Sequence, residues 1–154
     1  MVHQEEAGEK AVATNRKARH EYAVLDSVEA GLVLTGTEVK SLRQGNANIA
    51  EGFARITKGE VWLEGMHVSP YEQGSYANVD PLRIRKLLLH KKEIRRLIAR
   101  TQEPGVTLIP LKVYFKKGTA KVQLGICKGK REYDRRQDIA RREIERDLKR
   151  TYAR

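Results

Sequence analysis

Two runs, VTLIPLKVYF and TAKVQLGIC, flank Lys117-Gly118 and constrain the fold more than any other part of the chain. In the first, Val113 and Phe115 alternate with Lys112 and Tyr114. In the second, Val122, Leu124 and Ile126 alternate with Lys121 and Gln123. Side chains of a strand point to opposite faces in turn, so this period of two predicts a long half-buried hairpin. Pro110 cannot donate to a ladder and predicts an edge or a bulge in the first arm.

The rest of the chain predicts further short strands around one or two helices. EYAVLDSV and AGLVL read as two strands, or as one strand bent near Gly31. GTEVKSLRQGN reads as a helix of about two turns, capped by Thr37 and stopped by Gly45. FARITKGEVWLEGMHV reads as a second hairpin turning at Lys58-Gly59, with Trp62 in the core. Residues 69–82 carry two prolines and several turn formers, and a loop this long is often functional. A helix with Ile94, Leu97 and Ile98 on one face ends at Pro104-Gly105; Leu87, Leu88 and Leu89 fit its first turn or a short buried strand equally well. Met66 and Cys127 are expected in the core. Short strands, an inserted helix and a long last hairpin describe a mainly β fold, a small closed or partly closed barrel with packed helices. The five-stranded oligonucleotide-binding (OB) barrel is the nearest common architecture.

Beyond Cys127 the pattern thins. Only Ile139, Ile144, Leu148 and Tyr152 are large aliphatic or late aromatic positions, the last three spaced by four. That stripe is too thin to offset an ordering cost of about 1–2 kcal/mol per residue. Three parts follow: a polar extension over 1–13, a folded domain over 14–128, and a basic tail over 129–154 that is disordered alone and helical on a partner.

Charge points to the partner. The chain has 31 Lys and Arg against 20 Asp and Glu, a net +11. Residues 21–82 carry nine acids against four bases, whereas residues 83–100 carry eight bases against one acid. Residues 14–20 add three bases without an acid, and residues 128–154 add eleven bases against six acids. Three basic blocks beside an acidic stretch create a directional field that attracts a polyanion. Neither basic helix has the continuous apolar face of a membrane-surface helix. No apolar run approaches the roughly 20 residues needed to span a bilayer. The polar, acidic first residues are unlike a secretory signal, and a lone cysteine forms no disulfide framework, so a cytoplasmic setting is expected.

Catalytic patterns are weak. His3, His20, His67 and His90 lack metal-ligand spacing, and no phosphate-binding loop or nucleophile elbow occurs. Glu29 and Glu38 read as ordinary surface acids. No cofactor, metal or catalytic residue is expected. A small nuclease or hydrolase would need a site that is not visible, and a permanently embedded ribosomal protein would share the same basic tail. The candidates for nucleic acid are better: Asn15, Arg16, Lys17, Arg19 and His20 in the leader, and Arg83, Arg85, Lys86, His90, Lys91, Arg95 and Arg96 as a wide cationic face.

Six blocks then carry a resemblance: NRKARHEY, EAGLVLTGTEVKSLR, HVSPYEQG, DPLRIRKLLLHKKEI, LIPLKVYF and KGKREYDRR. In this order, from Asn15 to about Arg150, they resemble the SmpB family of bacterial SsrA-binding proteins. The resemblance implies an OB-type barrel with a C-terminal tail unstructured in solution. It also implies a non-enzymatic, monomeric partner of tmRNA that takes part in trans-translation, the rescue of ribosomes stalled on messages without a stop codon. Carried over by position, it implies tmRNA contacts at Asn15, Glu29 and Leu88. Arg16, Lys17, Arg19, His20, Lys40, Arg83, Lys86, His90 and Lys91 would surround them. In the tail, Gly129, Lys130, Tyr133, Asp134, Arg135 and Arg136 match the segment that reaches the decoding centre, and the distal part would lie in the empty message channel. Tyr133 stands where some members carry His; either ring can stack on a base. Thr151 and Tyr152 stand where some members carry a more apolar pair. Residues 1–13 lie outside the resemblance.

Overall fold

A computed structural model describes residues 9–152. Nine strands and four helices follow in the order β1 Glu9–Thr14, α1 Arg16–Glu21, β2 Tyr22–Leu32, α2 Gly36–Arg43, β3 Ala47–Asn48, β4 Phe53–Thr57, β5 Glu60–Glu64, β6 His67–Val68, β7 Arg85–Leu88, α3 Lys91–Thr101, β8 Val106–Lys116, β9 Thr119–Gly129 and α4 Lys130–Tyr152. A short 3-10 turn, Glu72–Ala77, interrupts the loop before β7.

The antiparallel ladder runs β8, β4, β5, β7, β2, β9, and β9 returns to β8. Six strands therefore close on themselves, one more than the five expected. Closure is narrowest where Ala54 of β4 faces Leu108 of β8. β1 joins the same edge of β8 further along, opposite residues 112–116. The polar extension expected over 1–13 is thus shorter at its C-terminal end: Glu9–Thr14 is a strand, because that edge of β8 offers unpaired backbone groups.

Both hairpins turn as expected. Lys58 and Gly59 have φ of 52° and 73°, and Lys117 and Gly118 have φ of 50° and 78°. Two successive left-handed residues match the right-handed twist of the flanking strands, which is why Gly takes the second place. Pro110 lies at a register shift in the β8–β9 ladder, the expected bulge. β2 is one continuous strand, and its bulge lies between Val24 and Asp26 rather than at Gly31. Leu87 belongs to a strand, with Arg85 and Leu87 inward and Leu88 outward. Trp62 is only half buried: Val61 and Leu63 take the inward positions of β5. On α3, Leu97 is buried but Ile98 is exposed, since the helix meets the barrel along a narrower face than expected.

The barrel interior holds Leu42, Ile49, Leu63, Met66, Leu87, Val113, Leu124 and Ile126, all nearly inaccessible. A second, smaller cluster of Ala18, Ile109, Leu111 and Cys127 lies under α1. Burial of both faces along β8 follows from this. Asn15 joins the pieces. Its Nδ2 donates to the carbonyls of Ile49 (3.1 Å) and Pro110 (3.0 Å), and its Oδ1 accepts from Ala18 N at the start of α1.

α2 is capped by Thr35, two residues before the cap expected. Thr35 accepts from Glu38 N, and the Glu38 carboxylate accepts from Thr35 N at 2.9 Å, a reciprocal capping box. Gly45 stops the helix with φ of 76°, as expected. Glu38 is not a surface acid: it is 3% exposed and faces Arg85, which is 0% exposed. Arg85 Nε donates to Glu38 Oε2 at 2.6 Å, Arg83 Nη2 donates to Oε1 at 2.5 Å, and Arg85 Nη1 donates to the Met66 carbonyl at 2.7 Å. Burial works against ionisation of Glu38, but the Arg83 and Thr35 hydrogen bonds and the Arg85 charge together hold its carboxyl below the usual range.

The last segment is helical from Lys130 to Tyr152, whereas the sequence predicts disorder in isolation. Its described side chains from Arg141 to Arg150 are exposed, so packing does not account for the helix over those residues. Residues of high helix propensity and pairs such as Glu145–Lys149 favour the helical backbone locally.

Glu38→Gln removes one partner of a buried pair and is expected to destabilise the fold by about 3–5 kcal/mol in denaturant unfolding. The wild-type contribution is complete above the ordinary Glu range and is lost as pH falls through the lowered folded value; the variant should lack that acid-dependent limb. Cys127 is fully buried and its thiol is pushed up to about 11 by desolvation. At pH 8 it should resist a thiol reagent in the native protein and react on unfolding.

Candidate nucleic-acid interface

The end of β2, the turn from β7 into α3, and the start of β9 enclose an open groove of about 550 Å³. Glu29, Gly31, Leu88, His90, Glu93 and Lys121 are among its walls. Glu29, far from Leu88 and His90 in sequence, therefore meets them in one groove. Register explains the meeting: Gly31 faces Leu88 across one ladder and Lys121 across the other.

Glu29 is exposed yet held in place. Its Oε2 accepts from the Tyr114 hydroxyl and lies 3.5 Å from Lys116 Nζ. The Tyr114 hydrogen bond, against desolvation and with Lys116 and Lys121 adding their charge, holds the carboxyl below the usual carboxylate range. Glu29 is thus a fixed anion, and a carboxylate has several acceptor positions, so it retains capacity for an incoming amine or hydroxyl. Leu88 is 55% exposed, an apolar platform beside that acceptor. A Cβ at Gly31 would come within 3.3 Å of Leu88 Cβ, so glycine keeps the two strands close there.

Cations rim the groove. His90 and Lys91 are exposed at the start of α3, and His90 N donates to Glu93 Oε1 at 3.0 Å. Lys91 and Lys92 stand at the positive end of the helix dipole, a small cost in stability that concentrates positive potential at the groove. Lys86, on the outer face of β7, pairs with Glu60 at 3.2 Å and remains partly exposed.

The other expected residues fall elsewhere. Arg16, Lys17, Arg19 and His20 are exposed on α1, with Lys17 paired to Glu51 at 2.7 Å. α1 precedes Tyr22 at the other end of β2. Seven residues separate Tyr22 from Glu29 along the strand, about 23 Å. Asn15 belongs to neither surface: it is 1% exposed and its amide is consumed by backbone partners. Arg83 is held by Glu38, and Arg85 is buried, so the cationic face expected over 83–96 is narrower than its sequence count. Arg96 pairs with Asp26 and Arg95 is exposed. Lys40 is exposed on α2, 5.5 Å from the centre of the Tyr71 ring. In the tail, Gly129 ends β9 opposite Tyr22, and Lys130 is exposed at the start of α4. The side chains of Tyr133, Asp134, Arg135 and Arg136 lie outside the described residues.

Sequence reasoning missed Tyr114, Lys116 and Lys121 as the groups that orient Glu29. The exposed-face position of Lys121 in the alternating hairpin was visible, but no local signal joins Tyr114 to a residue 85 positions earlier. Among the described residues, no group of three His, Cys, Asp or Glu could hold a metal ion. No described helix is long and apolar enough to cross a membrane.

The sequence profile of the family described as SmpB protein matches residues 12–154. The chain is 58% identical over 142 residues to the SsrA-binding protein of Enterococcus faecalis, covering 92% of each chain. It is 63% identical to that of Desulforudis audaxviator, covering 92% of this chain and 93% of the relative. Against that of Salinispora arenicola it is 54% identical over 97% of its length. A solved chain from work on tmRNA–SmpB and its journey to the centre of the bacterial ribosome shares 55% identity, with a TM-score of 0.66 over 76% of this chain and 82% of the other. A match over nearly the full length, a mainly β fold in common with that chain and a groove built from the blocks that carry the resemblance have one meaning: this chain belongs to the SmpB family.

Proposed function

We propose that the chain is a cytoplasmic, monomeric adaptor that binds the tRNA-like part of tmRNA and delivers it to stalled ribosomes for trans-translation. The observation that carries this reading is the fixed Glu29 carboxylate beside exposed Leu88 in an open, cation-rimmed groove. Single-stranded or loop RNA is read by acceptors and donors on base edges and 2′-hydroxyls and by packing against unstacked bases, and this groove offers an acceptor and an apolar platform together. Arg16, Lys17, Arg19, His20, Lys40, Lys86, His90 and Lys91 supply phosphate attraction. Arg83 acts one step back, since its guanidinium is spent on Glu38. Asn15 acts through the fold, by holding α1 to the β8 bulge. No chemistry at a reacting bond enters the proposal.

The tail is assigned the second task. Gly129 and Lys130 start it where β9 ends, and Tyr133, Asp134, Arg135 and Arg136 are proposed to reach the decoding centre. The distal helix lies in a message channel only when no message fills it, because two polymers do not share one channel. Relatives named SsrA-binding protein and a solved neighbour from a tmRNA–SmpB ribosome study support this assignment.

Glu29→Gln and Leu88→Ala should each weaken binding of the tRNA-like RNA about tenfold or more at fixed salt; the unfolding midpoint should stay close to wild type in Leu88→Ala, whose side chain is exposed, and fall only slightly in Glu29→Gln, which keeps an acceptor for Tyr114 but loses the attraction of Lys116. Unchanged dissociation constants would remove the groove from the interface. Removing residues 131–154 should leave affinity for that RNA nearly unchanged and abolish tagging on stalled ribosomes. Equal loss of both activities would refute the division of labour.

A further inference from the structure

Tyr114 reaches Glu29 from a strand that is not its neighbour. β9 runs between β8 and β2: Lys121 of β9 faces Tyr114 on one side and Gly31 on the other, and Gln123 faces Lys112 and Glu29. Paired strands lie about 4.8 Å apart, so the two side chains together span about 10 Å of sheet. Tyr114 is 5% exposed, and Lys112 Nζ stands 5.4 Å from the centre of its ring. A buried ring is packed into one rotamer, which gives its hydroxyl one place.

Both donors on Glu29 meet the same oxygen. The Tyr114 hydroxyl donates to Oε2, and Lys116 Nζ lies 3.5 Å from that atom. Among the described residues, no hydrogen bond reaches Oε1. A carboxylate has about four acceptor positions, two on each oxygen. Those on Oε2 face Tyr114 and Lys116, so those on Oε1 are left for a ligand in the groove that Glu29 lines. The Tyr114 hydrogen bond is also the leading cause that holds this carboxyl below the usual range, so near neutral pH Glu29 has no proton to donate.

What a carboxylate recognises depends on how many oxygens it offers. Two open oxygens take the paired N1–H and N2–H donors of guanine side by side. One open oxygen takes a single donor, such as the exocyclic amine of adenine or cytosine. We infer that Glu29 reads an unpaired base through Oε1 alone, selecting the amine of adenine or cytosine over the paired edge of guanine, and that Tyr114 is the positioning residue that imposes this choice. This rests on the transcript-binding reading above and deepens it.

The test measures binding of full-length wild type, Tyr114→Phe, Lys116→Met and Glu29→Gln to oligouridine carrying one central adenosine, cytidine or guanosine, at fixed salt, with the tRNA-like RNA alongside. Wild type should bind the adenosine and cytidine forms about fivefold more tightly than the guanosine form. Tyr114→Phe keeps the ring but frees Oε2, so the guanosine form should gain about threefold or more. Lys116→Met, at a partly exposed side chain, should move the preference the same way by less, and carries the test if Tyr114→Phe does not fold. Glu29→Gln should abolish the preference, because its carbonyl takes the Tyr114 hydroxyl and its amine then meets the incoming donor. A loss of stability alone would weaken all three oligonucleotides equally and leave their ranking unchanged. Wild type without this preference, or a ranking that neither Tyr114→Phe nor Lys116→Met moves, overturns the inference. If Glu29→Gln still weakens the tRNA-like RNA in that case, the groove stands; if it does not, the transcript-binding reading fails first.

Discussion

The buried pair between Glu38 and Arg85 is the interaction on which the rest of the structure depends. A charged couple with exposures of 3% and 0% is stable only when every donor and acceptor is met. Here Arg85 also donates to the carbonyls of Met66, Arg83 and Pro81, so one guanidinium ties β7 to the segment before β6 and to the end of the long loop. Glu38 in turn caps its own helix through Thr35 and holds Arg83. Removing Glu38 leaves Arg83 and the fully buried Arg85 without their shared carboxylate. The arrangement also fixes the phase of β7. With Arg85 and Leu87 turned inward, Lys86 and Leu88 must turn outward, and the groove acquires its apolar wall.

A second buried polar centre performs the equivalent task at the other end of the barrel. The bulge after Pro110 interrupts a ladder beside the Pro110 carbonyl. Asn15 donates to it and, with the same amide, reaches Ile49. Its carbonyl oxygen starts α1, and α1 covers Ile109, Leu111 and Cys127. A residue type suited to base recognition is therefore consumed by the fold.

This explains which parts of the fold and site were legible in the sequence. Period-two alternation around Lys117-Gly118 and the Lys58-Gly59 turn revealed both hairpins, because local backbone chemistry decides them. Leu88 and Glu29 emerged only through resemblance, since what joins them is strand register, not spacing. Glu38, Arg83 and Arg85 were misplaced for a related reason. A charged residue in an amphipathic sequence reads as surface unless its partner is known, and the partner lies 47 positions away. Trp62 was drawn to the core by its size, but the pleat of β5 had already given the inward places to Val61 and Leu63.

The same register sets the dimensions of the molecule as an adaptor. β2 begins opposite Gly129, where the tail departs, and ends beside Leu88, where the groove lies. One strand, paired with β9 along almost its whole length and with β7 at Gly31 and Leu32, separates the two surfaces. A strand in a closed ladder cannot shorten or slip without turning its core residues outward. Any RNA seated in the groove and any surface met by the tail are thus held apart by a spacing of about 23 Å that the barrel, not a flexible linker, determines. The described side chains of α4 from Arg141 to Arg150 are exposed, and the helix starts directly from the end of β9. Rigid separation in the body and an exposed helix at one end is the combination that lets one bound partner be positioned while the tail meets a second.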